Sequence, residues 1–221
     1  MVLTASALEH ESLLLAAEQR TYLPNISWQL FEAFVAEMGE IGVPKLAYYR
    51  GNLEFMTPLF LHEHSNRLID RVVNTLVEAA ELECIPAGSM TIKRPELAAG
   101  KEPDSCYYIQ NEHLIRNKTR LDFGIDPPPD LAIEVDITHT SIDQLALYAA
   151  LGVPELWVYD GKSLTFYHLA AGIYAIDDRS WTFPILPPAR VLEFLADCQS
   201  VGVRSATRSF RDWIKLQATN I

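Results

Sequence analysis

The chain has 221 residues, 49% hydrophobic and 21% charged, an ordinary composition for a globular protein with a sizeable core. Its 18 basic and 29 acidic side chains give a net charge of −11 at pH 7. This charge argues against a general nucleic-acid coat protein or a peripheral protein of anionic membranes, but it leaves room for an enzyme with a local basic groove. The three cysteines form no CxxC pair, so neither a disulfide framework nor a thiolate zinc site is expected.

No apolar run approaches the roughly 20 residues that a membrane span needs. The short apolar stretch near the N-terminus follows Glu9 and Glu11 rather than basic residues, unlike a signal peptide. The sequence therefore predicts a soluble, cytoplasmic protein. Residues 1–24 are expected to form a loosely attached lead-in and residues 25–221 a single domain, because no repeat, low-complexity tract or linker interrupts them.

The first half of the chain predicts a helix, a hairpin and a long amphipathic helix. Ser27 is a suitable N-cap for a helix over residues 28–38. Strands at 46–50 and 53–57 flank Gly51-Asn52, a pair typical of a two-residue hairpin loop. One face of the next helix is expected to lie on a sheet, because its apolar residues recur at helical spacing. These residues are Leu68, Ile69, Val72, Val73, Leu76, Val77 and Ala80.

The second half predicts strands that alternate with helices. The predicted strands are 89–94, 105–110, 131–136, 156–159 and 164–169, with a helix at 142–151 and an exposed excursion at 111–129. The order strand, helix, strand within about 30 residues is typical of a βαβ unit and hence of a mixed sheet. Residues 191–195 and 209–216 are expected to be helical and peripheral.

Glu134 is the first candidate functional residue, because it lies mid-strand among aliphatic residues. Ala132, Glu134 and Asp136 share one face of this strand. An ionised carboxylate there is costly unless it is paired, hydrogen-bonded or bound to a metal. Together with Asp104, which opens an earlier strand, these acids would suit Mg²⁺. The alternative, in which Asp104 and Asp136 are loop-edge residues and Glu134 pairs with an arginine, stays open.

His62-Glu63-His64 opens the long helix, where two imidazoles at i and i+2 diverge and cannot share a metal on one face. His64 fits a solvated helix start, whereas His62 and Glu63 stay candidate catalytic residues that could face the sheet. His139 fits a helix entry as well as a catalytic role. The sequence has no GxSxG, P-loop, GxGxxG or HExxH motif, so covalent serine chemistry and phosphate cradling lack their usual support.

Four segments carry a resemblance to a known family. They are residues 129–135 (PDLAIEV), 147–160 (LYAALGVPELWVYD), 51–58 (GNLEFMTP) with His62 after it, and 102–104 (EPD). Over roughly residues 25–195 the chain resembles the Uma2 family of restriction-endonuclease-like proteins, in the form common in cyanobacteria. The combination is specific although each piece alone is not.

The resemblance implies an α/β fold of the PD-(D/E)xK nuclease superfamily, with a central mixed sheet flanked by helices and an N-terminal helix and hairpin. Asp104 and Glu134 would then ligate Mg²⁺ or Mn²⁺, aided by the Val135 carbonyl. Glu63 or Glu54 would supply an additional acid. The implied substrate is DNA, and a homodimer is expected by analogy with restriction-type folds.

The chain departs from the family at the lysine. The position two residues beyond Glu134 is Asp136, and the helix position at which many relatives carry a lysine is Gln144. A glutamine offers a hydrogen bond but no positive charge. Gln144 also has a structural interpretation, because Ser141 and Gln144 have the spacing of a capping box.

Three interpretations follow from the sequence. The first is a metal-dependent endonuclease, the second a non-catalytic nuclease-fold protein that binds or regulates, and the third an acidic interaction protein with solvated carboxylates. Basic residues near Asp104 could form a groove for phosphates or could be scattered solubilising charge. They are Lys93, Arg94, Lys101, Arg116, Lys118 and Arg120.

Overall fold

The structure is a computed structural model that describes residues 18–39 and 44–218. Its strands are β1 (Glu18–Leu23), β2 (Lys45–Tyr49), β3 (Asn52–Pro58), β4 (Ile85–Pro86), β5 (Ile92–Arg94), β6 (Ala99–Lys101), β7 (Ser105–Tyr108), β8 (Leu131–Val135), β9 (Glu155–Tyr159), β10 (Leu164–Ala170) and β11 (Ile173–Asp177). Its α-helices are α1 (Trp28–Met38), α2 (Phe60–Ala79), α3 (Glu112–Ile115), α4 (Gln144–Leu151), α5 (Pro188–Val201) and α6 (Val203–Ala218). Within these ranges no helix has both the length and the apolar content to cross a membrane.

The chain has the expected α/β class, but its strands form two sheets, of which only the second is mixed. Sheet one has the order β1-β3-β2-β6-β5 and is antiparallel throughout. Sheet two has the order β11-β10-β9-β8-β7-β4, with β8 and β9 as its parallel pair. Helix α4 connects β8 to β9, which confirms the predicted βαβ unit.

The predicted N-terminal helix and hairpin are both present, but the position of the hairpin loop and the structure of residues 18–23 differ from the prediction. Ser27 caps α1 by accepting a hydrogen bond from the Leu30 amide at 3.2 Å, as predicted. The hairpin loop is Arg50-Gly51 rather than Gly51-Asn52, and both residues have positive φ, at 48° and 86°, as the tightest hairpin turns require. Residues 18–23 of the expected lead-in instead form β1, which pairs with β3 along its whole length, and residues 1–17 lie outside the described residues.

The main core lies between α2 and sheet two. Leu68, Ile69, Val72, Val73 and Leu76 are buried on α2, as the helical periodicity predicts. They belong to one apolar cluster with the odd-numbered side chains of β8, whereas Ala132 packs in a second cluster on the other face. The predicted alternation along β8 is therefore confirmed, and Glu134 points away from the main core.

The C-terminal helices are longer and more central than expected. Helices α5 and α6 bury Val191, Phe194, Phe210 and Ile214 in the main core, so the expectation of a peripheral tail is wrong. Their apolar residues do recur at helical spacing, as Ala206, Phe210 and Ile214 show, but this spacing does not indicate which surface covers the apolar face. The strand β11, which pairs with β10, is also absent from the predicted elements.

Candidate functional site

The candidate acids meet where the chain passes from sheet one to sheet two. Lys101 ends β6, and Asp104 lies immediately before β7. Strands β7 and β8 are antiparallel, with Ser105 opposite Ile133, so the next pair along this register brings Asp104 opposite Glu134. Both carboxylates are 2% exposed, which means that this group of charges is buried.

Asp104 is held by contacts from three sides. The Lys45 ammonium donates to Oδ1 at 2.5 Å and the Val135 amide donates to Oδ2 at 2.8 Å, while His62 Nε2 lies 3.0 Å from Oδ2. Burial by itself raises the pKa of Asp104. Lys45 and His62 outweigh that effect and hold the pKa well below its usual range. Asp104 is therefore ionised at neutral pH.

Glu134 has its own cation. Lys101 Nζ lies 3.0 Å from Oε2, and the Tyr148 hydroxyl of α4 donates to Oε1. Burial by itself lowers the pKa of Lys101, but Glu134 and Asp104 outweigh it and raise that pKa. Burial also raises the pKa of Glu134, with Lys101 opposing the rise. Asp104, Glu134, Lys45, Lys101 and Tyr148 together form what we call the acid–lysine cluster.

A second charged group lies beside the acid–lysine cluster and closes it. The Arg20 guanidinium of β1 bonds Glu18, Glu54 and Asp136, at 2.7, 2.6 and 2.9 Å. Glu18 also accepts a hydrogen bond from the Ile137 amide at 3.0 Å. Strand β1 of sheet one is thereby tied to the segment that follows β8 of sheet two. We call this group the Arg20 clamp.

Several sequence-predicted residues have roles different from those expected. Asp136, expected beside Glu134 as a possible ligand, and Glu54, expected as an additional acid, both belong to the Arg20 clamp. Glu63 lies on the outer face of α2, where it pairs with Arg67 at 2.6 Å, so the structure does not bring it to the cluster. His62 is fully buried beside Asp104.

Gln144 is the first residue of α4, one turn before Tyr148 and on the same helix face. The residue that caps α4 is Asp143, whose side chain accepts from the Ala146 amide at 3.0 Å. The predicted capping box between Ser141 and Gln144 is therefore wrong, because the helix begins two residues later than expected. Ser141 instead donates its amide to Glu54.

Among the described residues, the contacts of the basic residues near Asp104 favour scattered charge over a phosphate groove. Lys101 turns inward to Glu134, whereas four of the remaining basic residues pair with carboxylates at the surface. The surface pairs are Lys93–Glu32, Arg94–Glu96, Arg116–Glu112 and Lys118–Asp126. Basic residues that are close in sequence thus have separate carboxylate partners.

The chemistry of the cluster can be compared with what a divalent ion requires. Mg²⁺ is commonly held by one or two carboxylates and completes its shell with water. Asp104 and Glu134 supply two facing carboxylates. In the buried His62 ring, Nε2 lies 3.0 Å from Asp104 Oδ2, whereas Nδ1 has no hydrogen-bond partner among the described residues. Within residues 18–39 and 44–218 no group of three or more His, Cys, Asp or Glu side chains has an arrangement that could hold a metal ion. The donor set therefore fits Mg²⁺ or Mn²⁺ only as a two-carboxylate site.

Sequence reasoning missed three members of the cluster. Lys45 and Lys101 come from different strands of sheet one, and Tyr148 comes from α4. Lys101 lies three residues before Asp104 but is predicted only as part of a basic surface, and no spacing connects Lys45 or Tyr148 to either acid. The signal that could have found the lysines is their apolar neighbourhood, since a lysine between buried strand residues needs a carboxylate partner.

The comparisons with known proteins agree with this architecture. The family model Uma2, described as "Putative restriction endonuclease", matches residues 33–197, about three quarters of the chain. The matched range includes the whole acid–lysine cluster. The comparison with curated proteins finds no match. Because the matched range extends over most of the chain and over both sheets, the chain belongs to the Uma2 family and has a restriction-endonuclease-like fold.

Proposed function

We propose that the protein is a metal-dependent endonuclease that hydrolyses DNA phosphodiester bonds at the acid–lysine cluster. The observation that carries this proposal is the meeting of Asp104, Glu134 and Lys101 in one buried group between the two sheets. Family membership supports a nuclease-like function. Two carboxylates with an adjacent ammonium can together handle the anionic phosphate and an attacking water.

Asp104 and Glu134 are the residues that would hold Mg²⁺ or Mn²⁺, with the Val135 carbonyl as the further expected oxygen. The ion, when bound, supplies Lewis acidity toward a phosphate oxygen and toward water. Nucleases of this fold class generally use divalent ions, which supports the assignment.

The protein's own residues have distinct parts in this proposal. The Lys101 ammonium can donate to a phosphate oxygen, where negative charge increases as the reaction proceeds. Tyr148 holds one oxygen of Glu134 and thus fixes the orientation of its carboxylate. Lys45 and the Val135 amide do the same for Asp104. In this proposal Lys101 provides the positive charge that many relatives carry at the position of Gln144.

A second candidate function is a non-catalytic nuclease-fold protein that binds or regulates. One observation favours it, namely that both acids already have ammonium partners and are shielded from solvent. Catalysis requires that Lys101 leave Glu134 and that the Arg20 clamp open toward the substrate.

Nicking of supercoiled plasmid with Mg²⁺ or Mn²⁺ distinguishes the two candidates. The wild type is expected to nick, and Glu134→Gln and Lys101→Met are expected to lose about 10²-fold or more in rate. Glu63→Gln is the matched control, because it makes the same change as Glu134→Gln on the outer face of α2. Gln144→Ala is expected to retain its rate within about threefold, since Lys101 supplies the cation.

Each outcome has a defined meaning. A folded wild type that cuts neither plasmid nor single-stranded DNA with either ion would support the non-catalytic candidate. Equal nicking by wild type and Glu134→Gln would remove the cluster from the reaction. Calorimetry with Mn²⁺ on the same two proteins tests ion binding separately from cleavage.

DNA as the partner, a homodimer as the assembly and a cytoplasmic location belong to the proposal as well. The dimer rests on analogy with restriction-type folds. Analytical ultracentrifugation measures it directly, since a dimer has twice the chain mass of 24.9 kDa.

A further inference from the structure

Helix α6 carries a basic stripe opposite its buried face. Ala206, Phe210 and Ile214 are buried in the main core. On the other side, Arg204, Arg208, Arg211 and Lys215 follow one another at intervals of four, three and four residues. This spacing aligns the four side chains along one narrow face of the helix.

Helix α2 adds another arginine to this stripe. A surface cavity of about 700 Å³ lies between the two helices and is lined by Arg71, Val203, Arg204, Thr207, Arg208 and Arg211. None of the described carboxylates lines it. A cavity with four arginines and no acid is unexpected in a chain whose net charge is −11.

Most of these arginines have no acidic partner. Arg71, Arg204 and Arg208 are exposed, and in the part of the chain that the structure describes no carboxylate lies within ion-pair distance of them. Arg211 pairs with Glu78 at 2.8 Å. Elsewhere the surface arginines are commonly paired, as Arg67 is with Glu63. Three unpaired guanidinium groups around one cavity repel one another unless an anion lies between them.

The geometry of the stripe matches a chain of phosphates. Arg204 and Arg211 are seven residues apart, which is about 10 Å along the helix axis. About three nucleotides of one DNA strand rise by the same distance. Arginine presents a planar fork that binds phosphate oxygens through two hydrogen bonds, which lysine cannot do.

We propose that the stripe of α6, together with Arg71, is a docking surface for the phosphate backbone of DNA. This inference deepens the proposed function and rests on it, since it names how the substrate is held. Residues 203–218 lie beyond the family match at 33–197, so the stripe is a feature of this chain's own C-terminal helix.

The stripe is separate from the acid–lysine cluster. Arg71 follows His62 by nine residues on α2, which is about 14 Å along the axis and half a turn around it. Contacts between these arginines and DNA phosphates, at this distance from the cluster, add affinity and orient the duplex without reading its sequence. The stripe therefore anchors DNA that extends beyond the bond to be cut.

Fluorescence anisotropy with a labelled 20-base-pair duplex in EDTA tests the inference, because no cleavage occurs without metal. Arg204→Ala/Arg208→Ala is expected to bind about tenfold or more weakly than the wild type at low salt. The slope of log K against log[salt] should also become less negative by roughly 2, since two phosphate contacts are lost. Thermal unfolding checks that both proteins are folded.

Arg120→Ala/Arg179→Ala is the matched control, because it removes the same charge from exposed arginines outside the stripe. It is expected to bind within about twofold of the wild type. Equal weakening by both double variants, unchanged binding by Arg204→Ala/Arg208→Ala, or no wild-type binding at low salt would each overturn the inference.

Failure of the inference and failure of the proposed function are distinguishable. Unchanged DNA binding by Arg204→Ala/Arg208→Ala alongside wild-type nicking overturns the docking surface alone. Loss of binding in that variant, with no nicking by the wild type, supports the docking surface and overturns the endonuclease. Glu134→Gln is expected to bind the duplex as the wild type does.

Discussion

The Lys101–Glu134 pair and its neighbour Lys45–Asp104 are buried ion pairs, in which no residue is more than 6% exposed. Burying such charges costs several kcal/mol per ion, and the mutual attraction offsets this only when the pair stays intact. The four residues thus form two lysine–carboxylate pairs in a buried region, where a single unpaired charge would be strongly destabilising. This arrangement explains why each acid needs its own lysine.

Removal of one member of the pair tests this dependence. Lys101→Met is expected to lower the free energy of unfolding by about 3–5 kcal/mol, because Glu134 is left buried without its cation. Lys101→Met/Glu134→Gln is expected to recover part of that loss. Urea denaturation measures both, with Gln144→Ala as a control expected within about 0.5 kcal/mol of the wild type. A small effect of Lys101→Met would mean that water reaches Glu134.

Cys84 gives a pH dependence that can be measured without activity. Burial, together with the nearby carboxylate of Asp130, raises the pKa of Cys84 to about 11. Only the thiolate attacks an alkylating reagent, so native Cys84 is expected to react slowly at pH 8 and progressively faster as pH approaches about 11. Iodoacetamide labelling followed by peptide mass analysis measures the rate. Rapid labelling of native protein at pH 8 would contradict the raised pKa.

At the scale of elements, strand β6 and helix α1 pack closely together at Gly100, which leaves space for a ring of the helix. A Cβ atom added at Gly100 would lie 2.5 Å from Cζ of Phe31, a fully buried ring. Gly100 precedes Lys101, so this contact also fixes the strand that carries the cluster's lysine. The glycine is required here by close approach and not by its φ angle.

Gly100→Ala is expected to lower the free energy of unfolding by about 1–3 kcal/mol, since the ring or the strand must shift. Gly100→Ala/Phe31→Leu provides space for the methyl group and is expected to cost less than the sum of the two single changes. Chemical denaturation of the three variants tests this coupling. Simple additivity would indicate that Phe31 moves aside without strain.

At the scale of the whole molecule, the Arg20 clamp joins the two sheets. Arg20 and Glu18 belong to sheet one, whereas Asp136 and Ile137 follow the last strand residue of β8. One guanidinium therefore neutralises acids from both sheets and covers the side of the acid–lysine cluster.

Arg20→Met is expected to lower the free energy of unfolding by about 3–5 kcal/mol, because it leaves Glu18, Glu54 and Asp136 without their shared cation. Arg67→Met is the matched control. It removes an arginine whose pairs are at the surface, so it is expected to cost less than about 1 kcal/mol. Similar costs for the two variants would mean that the clamp is solvated and does not join the sheets.

The sequence by itself determined the local elements and the two acids. The periodicity of α2, the cap at Ser27 and the alternation along β8 each depend on neighbours within a few residues, so their signals are present in the chain itself. Glu134 stood out for the same reason, because one charged residue interrupts a local aliphatic strand. Asp104 has a weaker local signal, because it only opens a predicted strand, and the family resemblance then marked it as the motif aspartate.

The tertiary structure alone decided which cations serve those acids and where the basic surface lies. Lys45 and Lys101 meet the acids only because the chain crosses between sheets at residues 101–104, a connection that no periodicity records. Likewise, the stripe on α6 is joined by Arg71 only because α2 packs beside that helix. Local spacing specifies which face a residue occupies. The partner of that face is fixed by contacts between segments far apart in sequence.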